Sequence, residues 1–161
     1  MSPDDSAEPR GDPSARPPRP ADHDLAQVRE QLLVMSSYAV AAVSDAVKAV
    51  VERNDDYARK VQEQDAILDR FEMELDEAAL GLLLRGLVAS DRRFIAMAMK
   101  IAHELERVGD EATTIARRAL ALNREPPLKT PVAIPRLAAR ALLHLQDTLA
   151  AFANRRPDQA R

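Results

Sequence analysis

Two acidic patterns are the part of this sequence whose residue types and spacing best suit chemistry. Four carboxylates follow one another at intervals of four, three and four residues: Asp65, Asp69, Glu72 and Asp76. A second pair, Glu106 and Asp110, is one helical turn apart, and His103 lies near the same helical face. On α-helices these intervals place each set on a narrow stripe beside the apolar face. The sequence therefore predicts acidic stripes on two helices.

Such stripes favour the binding of a multivalent metal ion. Like charges one turn apart destabilise a helix by about 0.2–0.5 kcal/mol per pair, and a bound cation would neutralise them. Carboxylates from two packed helices offer many oxygen ligands, which suit hard cations better than soft ones. The identity of the ion stays open among iron, manganese, magnesium, calcium and zinc.

The same acids have a plainer interpretation as solvated helix surface. Arg70, Arg107 and Arg117 are close enough in the sequence to balance the charge as ordinary ion pairs. Di-iron bundles use Glu-x-x-His on facing helices, and neither His103 nor His144 has Glu three residues before it. This argues against an oxidase.

Composition and charge exclude several classes of protein. The chain has 161 residues, 3% aromatic residues and no Cys, which excludes an all-β fold, a disulfide framework and thiolate metal sites. Its 23 basic and 26 acidic residues leave a net charge of −3, so no nucleic-acid partner is expected. Uninterrupted apolar runs are shorter than the ~18–20 residues of a bilayer span. Any membrane association would then be peripheral, through partners.

Apolar residues at spacings of three and four predict long amphipathic helices after a Pro-rich disordered tail over residues 1–23. The first helix is expected from Asp24 to Arg53, the second from an N-cap at Asp55 or Asp56 to the Gly86 region, and the third from an N-cap at Ser90 to just before Arg124. Short links make them antiparallel neighbours, so residues 24–124 are predicted to form an all-α, antiparallel three-helix bundle. Gly109 inside the third helix costs about 1 kcal/mol relative to Ala, which indicates a close helix approach or ligand access.

A fourth helix is predicted after Thr130-Pro131, ending near Arg155. Shifting the sequence by 102 residues aligns Asp45 with Asp147 and gives six identities in sixteen positions, so residues 125–161 are interpreted as the first helix of an incomplete second repeat. Its apolar face comprises Val132, Ile134, Leu137, Leu142, Leu145, Leu149 and Phe152. Because the bundle fills its own core, we expect this face to pair with another chain, giving a homodimer or larger assembly.

Two segments resemble the signature of the PhoU family, the bacterial regulators of phosphate uptake. These are Ser90-Asp91-Arg92-Arg93 and, about a dozen residues later, Glu104-Leu105-Glu106-Arg107-Val108-Gly109-Asp110. Arg92 replaces the Leu that is usual in this signature. The preceding helix is also similar to the family, with Asp65-Ala66-Ile67-Leu68-Asp69 and Glu72. The resemblance covers residues 24–161.

This resemblance implies repeats of a three-helix bundle that bind metal through Glu/Asp-x-x-x-Asp motifs. The expected metal ligands are Asp65, Asp69, Glu106 and Asp110, with Glu72 and His103 as further candidates on the metal face. It also implies a cytoplasmic, non-catalytic adaptor that negatively regulates phosphate uptake and the phosphate-starvation response. Its partners would be the phosphate ABC transporter ATPase and the phosphate-sensing histidine kinase.

Two alternatives of other classes stay open at this point. A metal-dependent helical-bundle enzyme would need an open coordination position beside a concave substrate pocket. A purely structural helical interaction module would need neither a metal nor a pocket.

Overall fold

Four α-helices make up the regular structure of the part of the chain that the computed structural model describes, residues 20–127 and 133–153. They are α1 (Pro20–Val51), α2 (Asp55–Leu83), α3 (Ala89–Leu122) and α4 (Ala133–Ala153). The first three helices pack on one another pairwise, and α4 packs on α1. The predicted all-α three-helix bundle with a further helix is confirmed. Most of the predicted tail, residues 1–19, lies outside the described residues.

The helices begin at different residues from those the sequence indicated. α1 begins at Pro20 rather than Asp24, because proline at the first helical position lacks only an N–H that would have no acceptor there. The N-cap of α2 is Asn54, whose side chain accepts a 2.9 Å hydrogen bond from the Asp56 N–H. The expectation of Asp55 or Asp56 as the cap was therefore wrong by one or two residues.

The expectation that Ser90 is the N-cap of α3 was also wrong. Val88 occupies that position without a side-chain cap bond, and Ser90 lies inside the helix. The turn that ends α2 is as expected, since Gly86 has a φ of 76°, a conformation that glycine adopts without steric cost.

The core has two parts that differ in the size of their side chains. Large residues fill one end of the bundle, including Leu32, Met35, Leu75, Ile95 and Leu105, each at most 2% exposed. Alanines dominate the other end: Ala42, Ala46, Ala49, Ala58, Ala112, Ala116 and Ala119. Small side chains allow a close approach of α1, α2 and α3 at that end.

A buried acid joins α1 to α2 near the alanine end. Asp45 accepts hydrogen bonds from Lys60 Nζ at 2.7 Å and from Lys48 Nζ at 3.2 Å. Burial disfavours the charged carboxylate, but the two ammonium groups outweigh that effect, so the pKa of Asp45 is lowered. Because the pKa is lowered, this contact stabilises the fold at pH values above the ordinary pKa of Asp. That stabilisation is lost as the pH falls through the lowered pKa.

The C-terminal half of α4 docks on its own bundle. Leu149 is buried in the core, and the Phe152 ring stacks on Phe94 with 5.2 Å between centroids. Leu137, nearer the start of the helix, is 70% exposed. The bundle leaves an apolar surface for the end of α4, so the premise that it fills its core without α4 was wrong. The predicted Thr130-Pro131 start lies outside the described residues.

Helix α1 is long and apolar enough to cross a membrane by length and composition alone. In the structure it contacts all three other helices and contributes Leu25, Val28, Leu32, Met35 and Ala39 to the core. This is the arrangement of the central helix of a bundle.

Candidate metal centre

A close approach of α2 and α3 creates the seam in which the acidic residues lie. Gly109 of α3 is buried against Leu68 of α2, and a Cβ atom at position 109 would lie 2.3 Å from Leu68 Cδ1. The close helix approach expected from Gly109 is therefore present. It explains why a residue with poor helix propensity stands inside α3.

Two hydrogen bonds across the seam fix the register of the antiparallel helices. His103 Nδ1 lies 2.9 Å from Glu72 Oε1, and Thr113 Oγ1 donates to Asp65 Oδ1 at 2.8 Å. Residues between these contacts lie at intermediate levels along the seam, with Asp69 on α2 at the level of Glu106 on α3. We call the following set the acidic row: Asp65, Asp69, Glu72, Glu106 and Asp110.

The His103 imidazole forms a close group with two members of the acidic row. One ligand atom from each of Glu72, His103 and Glu106 lies within 4.8 Å of the other two. The Glu72 side chain is 25% exposed and the His103 side chain 61%. His103 and Glu106 are three residues apart on α3, so they share one face, and Glu72 meets them from α2.

Glu106 occupies the electrostatic centre of the row. Burial raises its pKa, and so do the negative charges of Asp110, Glu72 and Asp69 together with a hydrogen bond to Asp110. Asp69 and Asp110, although exposed, are thus close enough to act on Glu106. Asp69, Glu72 and Asp110 therefore lie within electrostatic range of Glu106.

Asp65 stands apart at the far end of the row. Its Oδ1 is hydrogen bonded to Thr113, and it lines a small cleft with Tyr38 and Gln64 rather than the group around Glu106. This follows from its position, because Asp65 is two helical turns from Glu72. Of the four motif acids, the structure therefore places Glu106 beside Glu72 and His103, Asp69 and Asp110 within electrostatic range of Glu106, and Asp65 next to Thr113.

Of the three arginines that the sequence offered as ion-pair partners, Arg107 forms a salt bridge on the outer face of α3. Arg107 donates to the Glu104 carboxylate at 3.0 and 3.2 Å, and both side chains are more than half exposed. That guanidinium is therefore directed to a neighbour on its own helix. It does not supply the counter-charge that the sequence offered for the acidic row.

An open groove adjoins the His103 end of the row. It lies between α4 and the α2–α3 seam and has a volume of about 870 Å³. Its lining includes Glu72, Asp76 and His103, together with apolar residues such as Met97 and Phe152. Asp76, the last carboxylate of the α2 stripe, thus belongs to this groove.

Thr113 is the site residue that sequence reasoning missed. It is buried, and its hydroxyl contacts Asp65. A signal was available, because Thr113 is seven residues after Glu106 and therefore lies on the same helical face. A hydroxyl among apolar positions at that spacing indicates a polar contact across a seam.

The residues present fit a metal ion. The half-buried carboxyl of Glu106 is close to like charges, which raise its pKa, and a cation would reverse that effect. The three ligand atoms of Glu72, His103 and Glu106 are spaced closely enough to face one ion. Carboxylate oxygens with one imidazole nitrogen suit divalent first-row metals.

The class of protein is a helical bundle of the PhoU type. The family model described as "PhoU domain" matches residues 32–119, a range that includes the whole acidic row. The chain belongs to the PhoU family.

Named relatives agree with this assignment. The chain is 32% identical over 138 residues to the phosphate-specific transport system accessory protein PhoU of Escherichia coli strain K12, covering 85% of this chain and 57% of that protein. It is 34% identical over 134 residues to the PhoU homolog of Pseudomonas aeruginosa, covering 81% and 54%. The chain thus spans little more than half the length of these relatives.

A solved structure supports the fold. The crystal structure of PhoU from Pseudomonas aeruginosa matches with a TM-score of 0.82 at 33% sequence identity, covering 86% of this chain and 68% of that one.

Proposed function

We propose that this protein is an accessory protein of a phosphate-specific transport system, a non-catalytic adaptor whose α2–α3 seam binds a multivalent metal ion. In the cytoplasm it would act as a negative regulator of phosphate uptake and of the phosphate-starvation response. Its partners would be the ATPase of the phosphate ABC transporter and the phosphate-sensing histidine kinase, so it would reach the membrane only through them.

One observation carries this proposal: the acidic row lies inside the segment that matches the PhoU domain, residues 32–119. Relatives that include this segment carry the name phosphate-specific transport system accessory protein. That name describes an accessory to transport rather than an enzyme.

The metal would join α2 to α3. Glu106, Asp69, Asp110 and Glu72 would hold it, with His103 at the edge. Binding only to the folded state stabilises that state, so the ion would fix the register of the seam and the shape of the surface offered to partners. Asp65 would help to hold α2 against α3 at the end of the row, through its hydrogen bond with Thr113.

Repression in a bacterial host tests the proposal. In a strain whose own PhoU family gene is deleted, expression of this chain is expected to lower a phosphate-starvation reporter in phosphate-rich medium. The double variant Glu106→Gln/Asp110→Asn should lose most of that repression, because it removes two carboxylates from the centre of the row. Glu111→Gln is the matched control, since Glu111 is exposed on α3 and points about 100° or more away from both acids.

Pull-down of the transporter ATPase and the kinase from the same cells provides the second measurement. The wild-type chain and Glu111→Gln should both retain these partners. A soluble chain that neither represses the reporter nor retains either partner would contradict the adaptor function.

Self-association is proposed through the exposed half of α4. Leu137 is 70% exposed and Leu143 56%, and apolar side chains of this size gain about 1.5–3 kcal/mol on full burial. Sedimentation at micromolar concentrations is expected to give a homodimer or larger species, and Leu137→Glu should shift it to monomer. Because Leu137 is exposed in the subunit, the variant should keep its helical content. A monomeric wild-type chain would contradict this prediction.

One observation supports the enzyme alternative: a groove of about 870 Å³ lies beside Glu72 and His103. Its walls are largely apolar, with Met97, Leu145 and Phe152 among them. An enzyme would need a substrate seated there against the metal. Turnover that depends on metal and is lost in Glu106→Gln would favour this alternative over the adaptor.

A further inference from the structure

His103 gives one end of the acidic row a different ligand chemistry from the rest. Its Nδ1 lies 2.9 Å from Glu72 Oε1 across the seam, and Glu106 is three residues further along its own helix. The ligand atoms of this group lie within 4.8 Å of one another. Two ligands of one first-row ion, each at about 2.0–2.2 Å from it, are at most about 4.4 Å apart. Small side-chain rotations therefore allow all three to reach one ion.

The donor set predicts which ions this subsite prefers. Mg²⁺ and Ca²⁺ are hard cations that take oxygen ligands, and Mg²⁺ keeps much of its water. Imidazole nitrogen suits zinc, iron, nickel and copper. Asp69 and Asp110 offer only oxygen, whereas the group at Glu72 offers one nitrogen with two carboxylates.

We infer that Glu72, His103 and Glu106 form a nitrogen-containing subsite that selects a divalent first-row transition ion, such as Zn²⁺ or Fe²⁺, over Mg²⁺ and Ca²⁺. This inference rests on the proposed metal-binding function and assigns His103 as the residue that determines metal preference. The sequence placed His103 near the metal face but not as a primary ligand, because its His-x-x-Glu spacing is the reverse of the Glu-x-x-His found in di-iron bundles.

A purely structural role for His103 predicts a different pattern of results. As a surface pair with Glu72, it would contribute little to stability, since its side chain is 61% exposed. In that case replacing it would leave every metal affinity unchanged. A ligand role changes the affinity for Zn²⁺ and not the affinity for Mg²⁺.

Metal titration of three tag-free, full-length chains separates these roles. Wild type, His103→Gln and His144→Gln are titrated with Zn²⁺ and with Mg²⁺, with thermal unfolding as the readout. His144 is exposed on α4 and is the matched control. We expect His103→Gln to weaken Zn²⁺ binding at least about tenfold, the smallest loss typical of even an outer-sphere partner. Mg²⁺ binding should be unchanged, and His144→Gln should match wild type for both ions.

Zinc X-ray absorption on the same three chains gives a direct readout of nitrogen ligation. With one equivalent of Zn²⁺, wild type and His144→Gln should show the multiple scattering of a coordinated imidazole ring, and His103→Gln should lack it. Equal Zn²⁺ affinity in wild type and His103→Gln, or an imidazole signal that persists without His103, would overturn the inference while leaving the acidic row as a metal site. Failure of every metal to bind wild type would overturn the metal-binding function itself.

Discussion

Metal ions are expected to raise the melting temperature of the metal-free protein. At a free concentration one hundred times the Kd, a ligand that binds only the folded state adds about 2.7 kcal/mol to the free energy of unfolding. For a chain of this size that corresponds to a rise of roughly 5–11 °C. Mn²⁺, Zn²⁺, Mg²⁺, Ca²⁺ and iron are to be compared by thermal unfolding.

The double variant Glu106→Gln/Asp110→Asn should abolish this rise. Without metal it should be at least as stable as wild type, because it removes like charges that raise the pKa of Glu106. A variant that is stabilising without metal yet insensitive to metal is the signature of a cation site and not of a structural ion-pair network. Glu111→Gln should behave as wild type, and equal melting of wild type with and without every ion would contradict the prediction.

The raised pKa of Glu106 also fixes a pH dependence. In the metal-free protein the charged carboxylate is disfavoured in the folded state, so its unfavourable contribution is present above the raised pKa and is relieved as the pH falls towards the ordinary value for Glu. Metal binding requires the deprotonated carboxylate. The metal-induced rise in melting temperature should therefore shrink as the pH falls through the raised pKa.

Substituting Gly109 by Ala is expected to destabilise the fold and weaken the metal response together. The added Cβ would meet Leu68 Cδ1 at 2.3 Å, and overpacking of this kind costs about 1–3 kcal/mol. The gain in helix propensity returns at most about 1 kcal/mol. Leu68 is buried, so its side chain must move within a packed core, or α2 and α3 must separate, at the level of the acidic row.

Gly81→Ala is the matched control on α2. No atom lies within 4 Å of a Cβ at that position, so the same substitution should raise the free energy of unfolding by up to about 1 kcal/mol. In a Leu68→Ala background, Gly109→Ala should no longer lower the free energy of unfolding, because the effects of substitutions at contacting residues are not additive. Equal effects of Ala at positions 81 and 109 would contradict the close approach of α2 and α3. Chemical denaturation of the five chains measures all these differences.

The sequence predicted the helices well because apolar spacing depends on the 3.6-residue period alone. The three-helix bundle, the turn at Gly86 and the acidic faces of α2 and α3 all followed from that period. The N-caps could not be predicted in this way. Backbone conformation makes Asn54 and Val88 the caps, whereas neighbouring Asp and Ser residues are equally suitable cap types.

The composition of the site was harder to predict, because it depends on the register between two helices. Spacing placed Asp65 and Asp69 on one stripe, but only the contacts of Leu68 with Gly109 and of Asp65 with Thr113 determine which acid meets Glu106. His103 was expected near the metal face, and the structure adds its contact with Glu72. The docking of α4 depends on the space beside Phe94, and the spacing of apolar residues along the sequence cannot predict that space.

Anomalous diffraction from crystals grown with Mn²⁺ or Zn²⁺ would show directly whether a metal ion binds in the α2–α3 seam. Data collected on both sides of the metal's absorption edge locate the ion without reference to activity or stability. We expect a peak in the α2–α3 seam, bound by Glu106 and by at least one of Asp69 and Glu72. Crystals of the folded protein that show no peak in the seam, or peaks only elsewhere on the surface, would contradict it.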